Sequence, residues 1–227
     1  MSLQVFDNIE QGSEEWHAAR RGIITASVLG QFITPKTIKP AMNDTARSMT
    51  AQLVAERITG YTEPTFASAD MERGKFDEPI ARNLYSEHFA HAVEVGFMVR
   101  DDWGFGVGYS PDGVVDGGGI VEIKSRRQKK QLQTILSDEV PLENMAQIQC
   151  GLLVSYLDWC DYVSYCGGMP LYVKRVLPDD RWFDAILKAV SAFEHTADEM
   201  MTAYHAATRG MPATERVEQF RIEDLTF

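Results

Sequence analysis

The hydrophobic pattern of this chain changes its period near residue 90, and that change limits the fold more than any other feature. Before it, apolar residues recur at helical spacing. After it they approach alternation, and Val93 to Val99, Phe105 to Val115 and Gly119 to Ser125 read as successive strands. Asp101-Asp-Trp-Gly104 and Asp116-Gly-Gly-Gly119 supply turn residues between them, so the three strands are expected to form one meander. On the N-terminal side, Ser13 caps a short helix that Gly22 ends, and Thr25-Ala-Ser27 opens another reaching about Ile33. Asn43 and Gly60 bracket a third, and a fourth runs from about Phe66 to Phe89. On the C-terminal side, Glu143 to Tyr156 reads as a buried helix, Cys160 to Cys166 and Leu171 to Leu177 as strands, and Asp179 to Ala207 as a long closing helix. Helices on either side of a strand cluster predict an α/β fold, a central mixed sheet flanked by helices. At 227 residues without an internal repeat, one domain over 1–227 suffices, with a helical N-terminal segment and a long C-terminal helix.

The first residues lack a basic stretch followed by an apolar run, and no segment approaches the length of a membrane span, so a cytoplasmic location and no membrane partner are expected. Cys150, Cys160 and Cys166 match no metal or disulfide spacing and are expected to be reduced structural thiols. The net charge of −11 opposes a nucleic-acid partner at first sight, but charge is unevenly placed. Six basic residues and two acidic ones fall between Arg20 and Arg57, and Lys124 to Lys130 carries five basic residues and no acid. From Pro178 to Phe227 ten acids face five bases. Such asymmetry fits a basic groove on an acidic body.

The segment richest in chemistry is Gly108-Tyr-Ser-Pro-Asp112-Gly followed by Val121-Glu122-Ile123-Lys124. Residues two apart on a strand share a face, so Glu122 and Lys124 point together while Ile123 points into the core. One strand, a tight turn and a return strand bring Asp112 towards Glu122. Adjacent carboxylates repel unless a cation lies between them, and hard oxygen ligands of this type suit Mg²⁺ or Mn²⁺. A metal so held lowers the pKa of a bound water and polarises a phosphoryl oxygen, while a neighbouring ammonium orients the water and counters developing negative charge.

Pro111-Asp112 with Glu122-Ile123-Lys124 resembles the PD-(D/E)xK signature of restriction-endonuclease-like nucleases. Three further blocks sharpen the resemblance. Trp16-His-Ala-Ala-Arg20-Arg-Gly22-Ile-Ile-Thr25-Ala-Ser27, Gly74-Lys-Phe-Asp-Glu78 and Met145-Ala-Gln147-Ile-Gln149 are similar to motifs of the phage lambda exonuclease and YqaJ-type viral recombinase nuclease family, in the family's order. The resemblance implies a restriction-endonuclease-like core. It implies Asp112, Glu122 and the Ile123 carbonyl as metal ligands, Lys124 as the catalytic lysine, Glu78 reaching the metal from its helix, and Gln147 positioning water or substrate. Arg20, Thr25 and Ser27 would bind a 5′-terminal phosphate, with Lys36 as a further basic contact and Arg126 and Arg127 on DNA phosphates. The implied activity is Mg²⁺-dependent (Mn²⁺ substituting) 5′-to-3′ exonuclease action on double-stranded DNA with a 5′ phosphate, leaving 3′ overhangs. It also implies a homotrimeric ring, a single-strand annealing protein as partner, and a phage- or prophage-encoded role in a bacterial host.

Plainer readings stand beside these. Glu78 lies among Glu72, Arg73, Lys75 and Asp77, where exposed helix ion pairs are common. Trp16 is expected to anchor its helix in the core with His17 outside, His88 and His91 lack a third ligand, and Trp103, Trp159 and Trp182 are expected to pack rather than stack on bases. A structure- or sequence-specific DNA endonuclease on the same fold is one rival function, and a non-catalytic recombination scaffold another.

Overall fold

The computed structural model describes residues 2–64 and 68–216 of the chain. In chain order the elements are β1 (Leu3–Phe6), α1 (Glu14–Arg20), β2 (Ile24–Thr25), α2 (Ala26–Leu29), β3 (Ile33–Thr34), β4 (Lys39–Pro40), α3 (Asp44–Thr59) and α4 (Ala69–His88). There follow β5 (Ala92–Val93), β6 (Phe97–Arg100), β7 (Val107–Tyr109), β8 (Gly113–Val115), β9 (Gly119–Ser125), α5 (Gln128–Ser137), α6 (Leu142–Ser155), β10 (Trp159–Tyr165), β11 (Tyr172–Val176) and α7 (Asp180–Ala207). The fold is mixed α/β, with mixed sheets flanked by helices.

Local chemistry explains the helix ends. Asn43 caps α3 by accepting from Ala46 N–H at 2.9 Å, and Gly60 closes it in the left-handed region at φ 62°. Ser13 caps α1, Ser68 caps α4 and Asp179 caps α7. The start expected for the fourth helix at Phe66 lies outside the described residues, as does the tail beyond Arg216.

The strands do not form one meander. A five-stranded sheet runs β11-β10-β9-β8-β5, and a separate four-stranded sheet runs β1-β6-β7-β2. The stretch from Phe105 to Val115 is therefore two strands, β7 in one sheet and β8 in the other, broken at Ser110-Pro-Asp112 because proline cannot donate to a ladder. In the five-stranded sheet β9 and β10 are parallel, from Trp159 opposite Gly119 to Tyr165 opposite Ser125, and the other pairings are antiparallel. The second expected helix stops after four residues, since Phe32 and Ile33 turn inward, Phe32 against Phe193 at 5.7 Å, and Ile33 enters β3. Strand β1 and helix α5 have no counterpart in the sequence reading.

The two faces of the larger sheet are covered differently. Ile120 and Tyr162 join the main core with α2, α3, α6 and α7, whereas Val121, Ile123 and Val163 pack against Ala81 and Tyr85 of α4. Tyr85 also donates to Asp161 on β10 at 2.7 Å, and Arg175 of β11 completes that buried carboxylate with two more hydrogen bonds. Trp182 sits in the core, while the half-buried Trp159 carries the Arg175 guanidinium over its ring at 3.6 Å. All three cysteines are buried free thiols, as expected. Among the described residues no helix is long and apolar enough to cross a membrane.

Helix α6 lies close to β7 because Gly151 has no side chain: a Cβ there would meet Tyr109 Cζ at 2.7 Å and Ile120 Cδ1 at 3.0 Å. Gly151→Ala overpacks that contact and is expected to destabilise the fold by about 1–3 kcal/mol, read as a lowered urea midpoint at unchanged m-value.

Candidate active site

The site forms where the two sheets part. The β8–β9 register ends at Gly113 opposite Val121, and continuing it by one residue sets Asp112 opposite Glu122. Beyond that point β9 has no β8 neighbour, so the Ile123 N–H donates to the Asp112 carboxylate at 2.6 Å instead of to a strand. A strand residue's N–H and C=O lie on the same edge, so the Ile123 carbonyl faces the same gap. Glu122 is completely buried; Lys124, 24% exposed, donates to it at 2.5 Å, and Tyr109 donates at a long 3.4 Å. Asp112, Glu122, Ile123 and Lys124 thus meet as the sequence reading expected, with Asp112, Ile123 and Lys124 lining a cleft of about 510 Å³.

Glu78 and Gln147 enter this cleft from opposite faces of the sheet, one on α4 and the other on α6. Glu78 is held by Arg82, one turn on, which also donates to the Asp112 carbonyl at 2.6 Å and to Glu94 at 2.6 Å. Gln147 lines the cleft, and its side-chain amide makes no hydrogen bond among the described residues. Its neighbour Gln149 is the buried amide, and it is satisfied by the Leu177 carbonyl and the Asp179 N–H.

Charge is crowded here. Burial, then the Glu122 charge, pushes the Asp112 carboxyl up to about 7, with Lys124, the Ile123 N–H and Arg82 opposing. Burial, then Asp112, lifts Glu78 to about 7 against the pull of Arg82. Burial works against the Lys124 ammonium, but Glu122 and Asp112 outweigh it and raise its pKa, so the amine stays protonated. Burial and Glu122 likewise keep the Tyr109 phenol neutral. Acids that resist ionisation next to one another, with an open backbone carbonyl beside them, are a donor set that fits a hard divalent cation. Among the described residues no three His, Cys, Asp or Glu side chains form a closed cage. A hard cation that keeps several waters needs only one or two carboxylates.

A second polar cluster adjoins the first. Arg20 donates to Ser110 Oγ at 3.2 Å, Thr25 Oγ1 at 3.3 Å and Ser27 Oγ at 3.0 Å. Burial lowers its guanidinium only to about 10, so it remains a cation. The parallel pairing of Thr25 with Gly108 sets β2 beside the strand that leads to Ser110 and Asp112. Trp16 corrects the sequence reading: it is half-buried in the cleft wall rather than anchored in the core, donating to Ser110 Oγ at 3.0 Å and carrying Arg20 over its ring at 3.8 Å. Its hydrogen-bond partner Ser110 stands 94 residues away in sequence, which is why the indole read as a core anchor. Helix α2 is too short for a helix dipole to carry anion binding, so charge here rests on Arg20.

Three basic residues expected to contact DNA lie outside the cleft lining. Lys36 is exposed in the β3–β4 hairpin, outside the cleft lining. Arg126 turns inward to Asn144 and to Tyr162 Oη, because the strand-to-α5 junction aims it at α6. Arg127 is exposed at the cleft mouth but pairs with Asp70 at 2.8 Å. Arg82, Tyr109 and Ser110 were missed; only Arg82 left a signal, its i,i+4 spacing from Glu78.

The YqaJ-like viral recombinase domain matches residues 15–158 of the chain. The chain belongs to this family. The matched span contains every residue of both polar clusters. The chain is similar to an alkaline exonuclease from Laribacter hongkongensis at 30% identity, with a TM-score of 0.77, covering 88% of this chain and 100% of that one. The same figures hold for the structure of that exonuclease in complex with dAMP. A phage-related exonuclease from Haemophilus somnus 129PT, 14% identical over 80% of this chain and 96% of that one, shares the fold at a TM-score of 0.60. No curated protein matches the chain at a significant level.

Asp112 and Glu78 hold protons in the fold that they would release in the unfolded chain, so they favour folding at low pH and lose that contribution as pH rises from about 4 through about 7. In chelator, melting temperature is expected to fall over this window, and Asp112→Asn, which keeps an acceptor for Ile123 N–H without the charge, is expected to flatten the decline.

Proposed function

We propose that this chain is a metal-dependent exonuclease that degrades the 5′-ended strand of double-stranded DNA, 5′ to 3′, and leaves 3′ single-stranded overhangs. The observation that carries the reading is the placement of Asp112 and Lys124 on one cleft beside the Arg20 cluster, with Glu122 buried directly behind them and hydrogen-bonded to Lys124. Family membership and the exonuclease relatives support it.

Asp112, Glu122 and the Ile123 carbonyl would hold Mg²⁺, with Mn²⁺ substituting, and the ion would supply Lewis acidity and a bound water of lowered pKa. The chain's own residues do the rest. Lys124 keeps its proton and faces the charge that grows on phosphorus. Glu78, steadied by Arg82, accepts hydrogen bonds from water at the cleft edge, and the free amide of Gln147 positions water or substrate from the opposite side. Arg20, with Thr25, Ser27 and Ser110, binds the 5′-terminal phosphate as a charged donor among hydroxyls. Arg127 and, after turning outward, Arg126 extend the contact along the backbone, with Lys36 as an outlying basic contact. The wider proposal, resting on the family alone, is a homotrimeric ring around the duplex that hands its product to a single-strand annealing protein, encoded by a phage or prophage and working in the bacterial cytoplasm.

Digestion of linear duplexes labelled at either strand's terminus, with and without a 5′ phosphate, tests reaction and polarity together. Loss of label from the phosphorylated 5′ end is expected; an intact linear duplex with Mg²⁺, or nicking of closed circles, would overturn the exonuclease reading. Lys124→Ala is expected to lower turnover by about 100-fold or more while filter binding still detects duplex affinity.

A further inference from the structure

The turn between α1 and β2 is made at Gly22, whose φ of 69° lies in the left-handed region. Consecutive side chains of α3 take both polar groups of that one residue. Glu56 accepts from the Gly22 N–H at 2.9 Å, and Arg57 Nε donates to the Gly22 carbonyl at 2.6 Å. The rest of the Arg57 fork donates to both oxygens of Glu194 on α7, each at 2.7 Å, and the guanidinium lies over Phe193 at 5.0 Å. A Cβ on Gly22 would fall 2.5 Å from Arg57 Cγ, so the fit of arginine against the turn needs glycine as much as the turn does.

We propose that Glu56, Arg57 and Glu194 are positioning residues that fix the aim of the end-phosphate pocket from behind the Gly22 turn; the inference rests on the phosphate role proposed for Arg20. Arg20 precedes the turn by two residues and Thr25 follows it by three, and their side chains must converge on one anion. Glycine is the most permissive hinge a chain has, so by itself it cannot hold that convergence. The bidentate pair with Glu194, both partners only about one-fifth exposed, stiffens the arginine that grips the turn. The acidic C-terminal helix thereby gains a part in end recognition. A purely architectural clamp predicts equal losses on every substrate, whereas a positioning clamp predicts losses concentrated on phosphorylated ends.

The test compares initial rates of the full chain with Mg²⁺ on two linear duplexes that differ only in a 5′ phosphate or 5′ hydroxyl. Arg57→Met is expected to reduce the phosphoryl-to-hydroxyl rate ratio by about tenfold, since misplacement of binding groups by about 1 Å has large effects on rate, with the loss appearing mainly in KM for the phosphorylated duplex. Glu194→Gln, which keeps the Arg57 bond to Gly22, is expected to produce a smaller loss of the same ratio. Ile186→Val, a methyl deletion in the buried face of α7 about two turns earlier, is expected to lower the melting temperature and keep the wild-type ratio. A wild-type ratio in folded Arg57→Met, or equal loss on both ends, overturns the clamp. If Arg57→Met does not fold, an unchanged ratio in Glu194→Gln overturns it. A wild-type enzyme that cuts both ends equally sinks the phosphate reading itself, and the clamp with it; a preference retained in every variant sinks the clamp alone.

Discussion

A completely buried glutamate governs the architecture of this protein. Glu122 has no contact with solvent, and an unpartnered carboxylate there would be prohibitively costly. Lys124 reaches it from two residues along the same strand, and Tyr109 offers a hydroxyl from the neighbouring sheet. Those partners require β9 to stay extended past the end of β8, and they require β7 to lie within reach across the gap. The close seat of α6 over Gly151 holds Tyr109 in place. What looks like a defect in the sheet, an edge left unpaired after Val121, is what lets Asp112 and the Ile123 backbone share one space.

Regular elements were legible where the chain punctuates itself. Ser13, Asn43, Gly60 and Asp179 each act at the helix end where their chemistry placed them, and strands β9 to β11 fall where the sequence places strands. Helix α5 was not legible because it is inverted: Gln131 and Thr134 are buried while Leu132 and Leu136 are exposed. Gln131 is stable inside because it exchanges hydrogen bonds with Ser164 and accepts no vacancy, donating also to the Pro170 carbonyl. The division of Phe105 to Val115 between two sheets was signalled by Pro111, whose missing N–H forbids a continuous ladder, yet alternation on both sides concealed it.

The site was legible to the extent that spacing along one hairpin decides it. Asp112, Glu122 and Lys124 needed only the register of neighbouring strands, and Glu78 and Gln147 came from resemblance rather than pattern. Long-range partners were beyond reach: Trp16 meets Ser110 from 94 residues away in sequence, and Arg57 meets Glu194 between the third helix and the last. The basic run after β9 shows why charge counts mislead, since Arg126 is absorbed by Asn144 and Tyr162 while Arg127 answers Asp70. The net charge of −11 is therefore a poor guide to the potential inside the cleft.

The link Ser110-Pro111-Asp112 passes from one sheet to the other as it crosses the cleft. Ser110 is tethered to Trp16 and Arg20, and Asp112 to Ile123, so the chain is pinned at both ends of a two-residue step. Two residues span at most about 7 Å, and proline stiffens the step further. On the proposed activity, the anchored terminus and the point of bond breakage are joined by a covalent ruler. The spacing between the pocket proposed for the terminal phosphate and the proposed metal site is then fixed by covalent geometry rather than by packing alone.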